Sequence, residues 1–511
     1  MFGFRKNTWS QPKSIGVTMV LLLFGSFLVF TGVMKLYTIN GANFSSKADF
    51  AEKVVWWVDK EAAELINIGN LLYQTVTSWG SLLDHENEIR TMARIIKDNP
   101  SLESYIPQKY KALYELGKEF FVHEDQLIGM LGKDRVRTYL VALMNTAESR
   151  PNGWFFGSYA LVQVYKGKLV LYKVFDSYYA YHQNSWVKLV LDEKYQEILG
   201  QQSINFISPN VYGFTDIDAG NIKILYEKLF PGQYLDGVIM VKSDLFEQLV
   251  PELRSKLIEW QFTNATVDLI RGANLPNKKQ QYLTDIWSYL ESNRAGLTDQ
   301  IIKNLPYILR GWYVQVYIPN ADKEFKDFLA DQGLSTAQDP DTLYAWQLNK
   351  SFNKIDKFVT KKITFQSIQG QPIEETTNGI MPLQEDSIKP GEYDIYFFYT
   401  MSIPQTYIDQ IYGLTKQYSI ELTQRETHIL WLSYNWHNQI IVRLPERLQF
   451  VSLDGDYLKN QPLSSWFNNK LKNTNPEFIV SNMKYRQVVS FEVLSFGNDI
   501  LKVIRLRVKK I

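Results

Sequence analysis

Between residues 145 and 158 the chain gathers polar groups of complementary chemistry, Asn145, Glu148, Arg150 and Ser158, with Asp176 and Asp218 following further on. Arg150 carries a planar fork of N–H donors suited to a phosphate or carboxylate, and Asn145 and Ser158 add neutral donors. These three are the candidate anion-binding or ligand-binding residues. Glu148, Asp176 and Asp218 have the chemistry of a general base or of oxygen ligands to a cation. The same residues also have a structural reading, in which Glu148 pairs with Arg150 and Asn145 satisfies loop backbone groups. No Gly-x-Ser-x-Gly elbow, His-Glu-x-x-His helix or Gly-x-x-x-x-Gly-Lys loop occurs in the sequence, so hydrolase, zinc-protease and nucleotidase readings lack a motif. His123-Glu124-Asp125 reads as a solvated helix face, because no second ligand set at a usable spacing accompanies it. No metal site and no cofactor is therefore assigned, and a divalent cation enters only with an enzymatic reading.

The elements that must position these groups follow from hydrophobic period. Tyr139 to Met144 is a nearly unbroken apolar run, too short for a typical helix, and reads as a strand buried on both faces. Pro151 and Gly153 punctuate the loop after it. Ser158–Val164 and Leu169–Phe175 read as strands joined through Tyr165-Lys166-Gly167-Lys168, where Gly167 supplies the positive φ of a tight hairpin. Then helical and strand periods alternate: a helix from Asp218 to Phe230, a strand from Asp236 to Val241, and a segment capped by Ser243 with Leu245, Leu249 and Leu253 at helical spacing. Asn277–Leu305 is helical, Tyr313–Ile318 a strand, Asp322–Asp331 a helix and Leu343–Leu348 a strand. That order predicts an α/β domain over residues 133–358, a mixed sheet with covering helices.

Flanking segments differ in character. Ser14 to Met34 is 21 residues without a charge, and at about 1.5 Å per residue it matches the roughly 30 Å hydrocarbon core of a bilayer. Arg5, Lys6 and Lys13 precede it, which places a tail of residues 1–13 in the cytoplasm and residues 38–511 outside, behind a transmembrane helix over 14–37. Residues 45–132 carry helical patterning, with Val54, Val58, Ala62 and Leu65 opening one apolar line, and read as a helical stalk or hairpin. From 359 to 511 short aromatic and β-branched runs separated by turn signals predict an all-β, sandwich-like domain. Its last strand sets Leu501, Val503, Leu506 and Val508 against Lys502, Arg505, Arg507 and Lys509, the pattern of a solvated edge strand protected by charge.

With 55 basic and 54 acidic residues there is no global field to attract nucleic acid. The lack of cysteine removes disulfides, thiolate metal sites and cysteine nucleophiles.

Several blocks carry a resemblance. Tyr139-Leu140-Val141 with Asn145, Glu148, Arg150-Pro151, Gly153 and Gly157-Ser158, then Asp236-Gly237-Val238-Ile239, then Asn349, Asn353-Lys354 and Asp356, resemble domain-of-unknown-function family 4012 over roughly residues 55 to 455. Where that family tends to show Thr-Gly-Gly after the Arg-Pro pair, this chain has Asn152-Gly153-Trp154. The resemblance implies a bacterial, membrane-anchored envelope protein with no assigned activity. Proteins of the LytR-CpsA-Psr type are similar in having an exterior α/β domain behind one anchor, and their strand entry loosely resembles Asp236-Gly237-Val238-Ile239.

The expected function is that of a single-pass envelope protein whose exterior part serves surface assembly, binding or adhesion. Its partners would be the bilayer through residues 14–34 and an envelope glycopolymer or other envelope proteins, with no nucleic acid. The alternative implied by the second resemblance is a transferase of polyprenyl-phosphate-linked glycopolymers.

Overall fold

The computed structural model describes residues 86–100, 118, 122–145, 148, 150–151, 155–245, 313–336, 342–349, 359–370, 372–376, 380–383, 388–401, 436–445, 447–455, 479–483, 486–495 and 500–510. The expected tail, anchor and first part of the stalk, the helix over Asn277–Leu305 and the capped segment beyond Leu245 lie outside the described residues. Among the described residues no helix is long and apolar enough to cross a membrane.

The strand expected at Tyr139–Met144 is β1 (Arg137–Asn145), and it has neighbours on both sides. It pairs antiparallel with β2 (Phe155–Tyr165), which pairs antiparallel with β3 (Lys168–Asp176). On its other side β1 runs parallel to β6 (Gly237–Lys242), and β7 (Val314–Tyr317) closes the edge antiparallel to β6, giving the order β3-β2-β1-β6-β7. The sheet is therefore mixed, as its alternating periods predict. The hairpin between β2 and β3 turns on Lys166 and Gly167, whose φ values are 49° and 69°. Its tip docks onto the loop that follows α2 (Glu124–Met130): Lys166 N–H donates to Gly132 O and Gly167 N–H to Leu131 O, both at 2.8 Å.

A parallel pair needs a crossover, and residues 177–236 supply it. The crossover runs through α3 (Ser177–Gln183), the short strands β4 (Leu189–Val190) and β5 (Ser203–Ile204) flanking α4 (Glu193–Leu199), and then α5 (Thr215–Leu229). Ala219, Ile222, Leu225, Tyr226 and Leu229 recur at helical spacing, and they pack on Leu140, Ala142, Met144, Phe156, Tyr159, Val238 and Met240 of the sheet. Asp218 does not begin this helix as the sequence suggests. It lies in the first turn and reaches back into the preceding loop, so the helix opens at Thr215. Outside the sheet, α1 (Glu86–Asp98) meets α2 through Arg90, which is paired with Glu124 at 3.2 Å and Asp125 at 2.7 Å. His123 packs against Phe325 and Phe328 of α6 (Lys323–Asp331), so His123, Glu124 and Asp125 serve packing and ion pairing.

The β-rich part begins earlier than residue 359. β8 (Thr342–Asn349), expected to end the α/β domain, instead lies between β11 (Ile380–Pro382) and β13 (Trp436–Arg443) in the sheet β11-β8-β13-β16-β15. The remaining strands of that sheet are β15 (Ile479–Met483) and β16 (Arg486–Ser495). A second sheet has the order β10-β9-β12-β17-β14, from β9 (Val359–Ser367), β10 (Pro372–Thr376), β12 (Gly391–Met401), β14 (Leu448–Gly455) and β17 (Ile500–Lys510). Leu343, Ala345, Ile440, Val442 and Val489 of one sheet share a core with Ile363, Phe365, Ile395, Phe397, Ile504, Leu506 and Val508 of the other. Two sheets facing one apolar layer form the sandwich-like arrangement expected there.

β17 is not an edge strand. It runs between β12 and β14, and Ile504, Leu506 and Val508 are its inward set. Its basic residues meet acids in register: Arg507 holds Asp394 at 2.9 and 3.1 Å, and Arg505 holds Asp454 at 3.1 Å. Sequence alone shows the cations, while their partners come from β12 and β14.

Candidate functional site

The loop after β1 leaves the sheet at a bulge. Leu143 faces Ser158 and Met144 faces Phe156, so Gly157 is the extra residue on β2. Asn145 and Glu148 fold the loop back: Glu148 N–H donates to Asn145 O at 3.3 Å, and Phe155 N–H donates to Glu148 O at 3.0 Å. Glu148 and Arg150 form an ion pair whose side chains keep only 5% and 6% of their surface exposed, and the Arg150 guanidinium lies 5.6 Å from the centre of the Phe155 ring. Such a pair, taken out of water, holds its partners to each other.

The other expected site residues separate by role. Ser158 is fully buried opposite Leu143, and in the next strand it faces Asp176. Asp176 caps α3 by accepting from Tyr178 N–H at 2.9 Å. Asp218 is fully buried, and its two oxygens accept from the N–H groups of Val211, Tyr212 and Gly213 at 3.0, 2.9 and 2.8 Å. Asn145, Glu148, Arg150, Ser158 and Asp176 thus come to one end of the sheet, around the C-terminal end of β1. Asp218 belongs instead to the loop that enters α5.

At the opposite end, Asp236 is occupied in the same way. It accepts from Thr138 N–H at 2.8 Å and Arg137 Nη1 at 3.0 Å, and it also pairs with Arg135. Burial pushes its carboxyl up, but the bonds from Arg135, Thr138 and Arg137 outweigh this and hold it below the usual carboxylate range. The glycine after it is required by space: a Cβ on Gly237 would stand 2.7 Å from Tyr317 O and from Ile318 Cδ1. The Asp-Gly block is therefore a strand entry, fixing the parallel start of β6 beside β1.

Two lysines, one in each part of the molecule, escape sequence reasoning. Lys242 ends β6 in register with Met144, and Lys361 lies on β9, whose residues Ile363 and Phe365 are buried inward. Burial pushes each ammonium down to about 8, and the charge of Lys242 adds to the effect at Lys361. The available signal was a lysine at an inward position of a strand, Lys361 being two residues before Ile363.

Residues 134–254 match the model of the family described as Protein of unknown function (DUF4012). That segment, less than half of the chain, is what the chain shares with this family. The DUF4012 segment spans β1 to β6 with the crossover between them, so it contains the bulged loop, the Asp218 loop and the Asp236 strand entry. It is shorter than the stretch from 55 to 455 over which the resemblance was read, and Asn349, Asn353-Lys354 and Asp356 lie outside it. No curated protein and no solved structure matches the chain.

Proposed function

We propose that this DUF4012 protein is a single-pass, membrane-anchored envelope protein whose exterior α/β and β-rich parts bind an envelope component, in surface assembly or adhesion. The observation that carries this reading is the uncharged run Ser14–Met34, with Arg5, Lys6 and Lys13 before it and a long chain of α/β and β-rich structure after it. Binding is favoured over turnover by the engagement of the carboxylates. Glu148 pairs with Arg150, Asp176 caps a helix, Asp218 collects three backbone N–H groups and Asp236 collects two arginines. A general base must be able to reach a substrate proton, and these groups are spent on the fold.

Protease treatment of intact cells tests the topology. Cleavage of the β-rich part from outside, with a tag ahead of Arg5 left intact and membrane-bound, is the expected result. Full protection in intact cells, with cleavage only after lysis, would refute it.

A further inference from the structure

We infer that the sheet edges of this protein are built to refuse an added strand, so that its partners, further copies of the chain included, are engaged through side chains and not by backbone pairing. An edge strand offers a row of N–H and C=O groups at a regular two-residue repeat, and another extended segment can pair with it. Among the described residues the three five-stranded sheets end in β3 and β7, β10 and β14, and β11 and β15. Three of these edge strands carry an extra residue. On β3, Leu171 faces Gln163 and Leu169 faces Val164, which leaves Val170 over. On β10, Pro372 faces Gln366 and Glu374 faces Phe365, which leaves Ile373 over. On β14, Phe450 faces Val508 and Ser452 faces Arg507, which leaves Val451 over. Each time the extra residue belongs to the edge strand and not to its inner neighbour.

The inner ladders, by contrast, are long and regular. β12 pairs with β17 from Gly391 to Met401 and β13 with β16 from Trp436 to Arg443, both without a shift. The other bulge among the described pairs, at Gly157, sits where β1 runs out into its loop. An extra residue throws the outward groups beyond it out of phase with those before it and adds local twist, so a straight strand cannot follow the edge. Val170 and Val451 are 51% and 43% exposed, which sets both bulges in solvent. Charge reinforces two of these edges, with Lys168 and Lys173 exposed on β3 and Glu374 and Glu375 exposed on β10. The remaining edges are short. β7 has four residues, and its Val316 N–H is already taken by Leu334 O at 2.6 Å. β11 has three and ends in Pro382, which has no N–H, and β15 has five. The inference does not depend on the function proposed above or on where the protein resides in the cell.

The test compares the full chain, with detergent micelles in excess, against single-residue deletions of Val170 and of Val451, and against Val170→Thr and Val451→Thr, which keep the extra residue. Deletion lets the pairs on either side close into a regular ladder and so gives each variant a straight edge. In sedimentation velocity the deletion variants are expected to pass to dimers and larger species as concentration rises, while the wild type and the threonine variants keep one mass. Hydrogen exchange is followed on the wild type as well, and the amides of β3, β10 and β14 are expected to exchange at rates that do not change with concentration. Deletion variants that keep the wild-type circular dichroism and stay as dispersed as the wild type overturn the inference. Exchange at any of these three wild-type edges that slows as concentration rises also overturns it, and concentration-independent exchange sustains it even where a deletion variant fails to fold.

Discussion

Arg150 and Glu148 are two residues apart, so their pairing was legible as a possibility. What the sequence could not show was that both side chains would be buried, with the guanidinium beside the ring of Phe155. Removing one member leaves the other charge buried without this partner, which costs about 3–5 kcal/mol. Arg150→Met is therefore expected to shift the denaturant midpoint strongly downward, and Glu148→Leu to do the same. The double variant should recover a large part of the loss, because an apolar pair of similar volume suits a dry site. Single variants within about 0.5 kcal/mol of wild type would mean that the pair is solvated. Asp218 shows the complementary limit: its carboxylate is evident in the sequence, but its donors lie on a loop five to seven residues earlier that sequence reasoning did not connect to it.

At the scale of elements, period and turn chemistry placed most strands and helices, and they erred where long-range pairing decides. β8 reads Leu343-Tyr344-Ala345-Trp346, apolar at consecutive positions, because both of its faces are covered. Leu343 and Ala345 enter the sandwich core, while Tyr344 and Trp346 pack on Phe214, Val211 and Tyr195 of the α/β domain. Phe214 meets both aromatic rings edge-on at 5.2 Å, and the Arg443 guanidinium lies 4.6 Å from its centre. This contact depends on Gly213, whose φ is 85° and where an added Cβ would stand 2.2 Å from Cε2 of Trp346. Gly232 has nearly the same φ, 86°, with open space around it. Gly232→Ala should thus cost only the left-handed backbone penalty, about 1–2 kcal/mol. Gly213→Ala should cost clearly more and expose the junction to limited proteolysis. Equal destabilisation of the two variants would show that Trp346 does not press on Gly213 in solution.

Over the whole molecule, Lys242 and Lys361 lie on different sheets, and the burial of each was illegible because it depends on chain segments distant in sequence. Its consequence is measurable as a pH dependence of stability. In the unfolded chain these lysines hold their protons to about pH 10.5, whereas in the fold burial brings each down to about 8. Between those values the unfolded chain binds more protons than the native one, so stability rises with pH across that window. Each displacement is worth on the order of 3 kcal/mol, moderated at Lys242 by Asp244. Above pH 10 the sign reverses. Burial pushes the phenols of Tyr212 and Tyr226 up to about 12, so the unfolded chain ionises first and stability falls. Chemical denaturation across this range should therefore show a maximum between pH 9 and 10. Lys242→Met and Lys361→Met should each flatten its rising side while leaving the fall above pH 10 intact. A profile that declines steadily from neutral pH in the wild type would mean that the two ammonium groups are well hydrated.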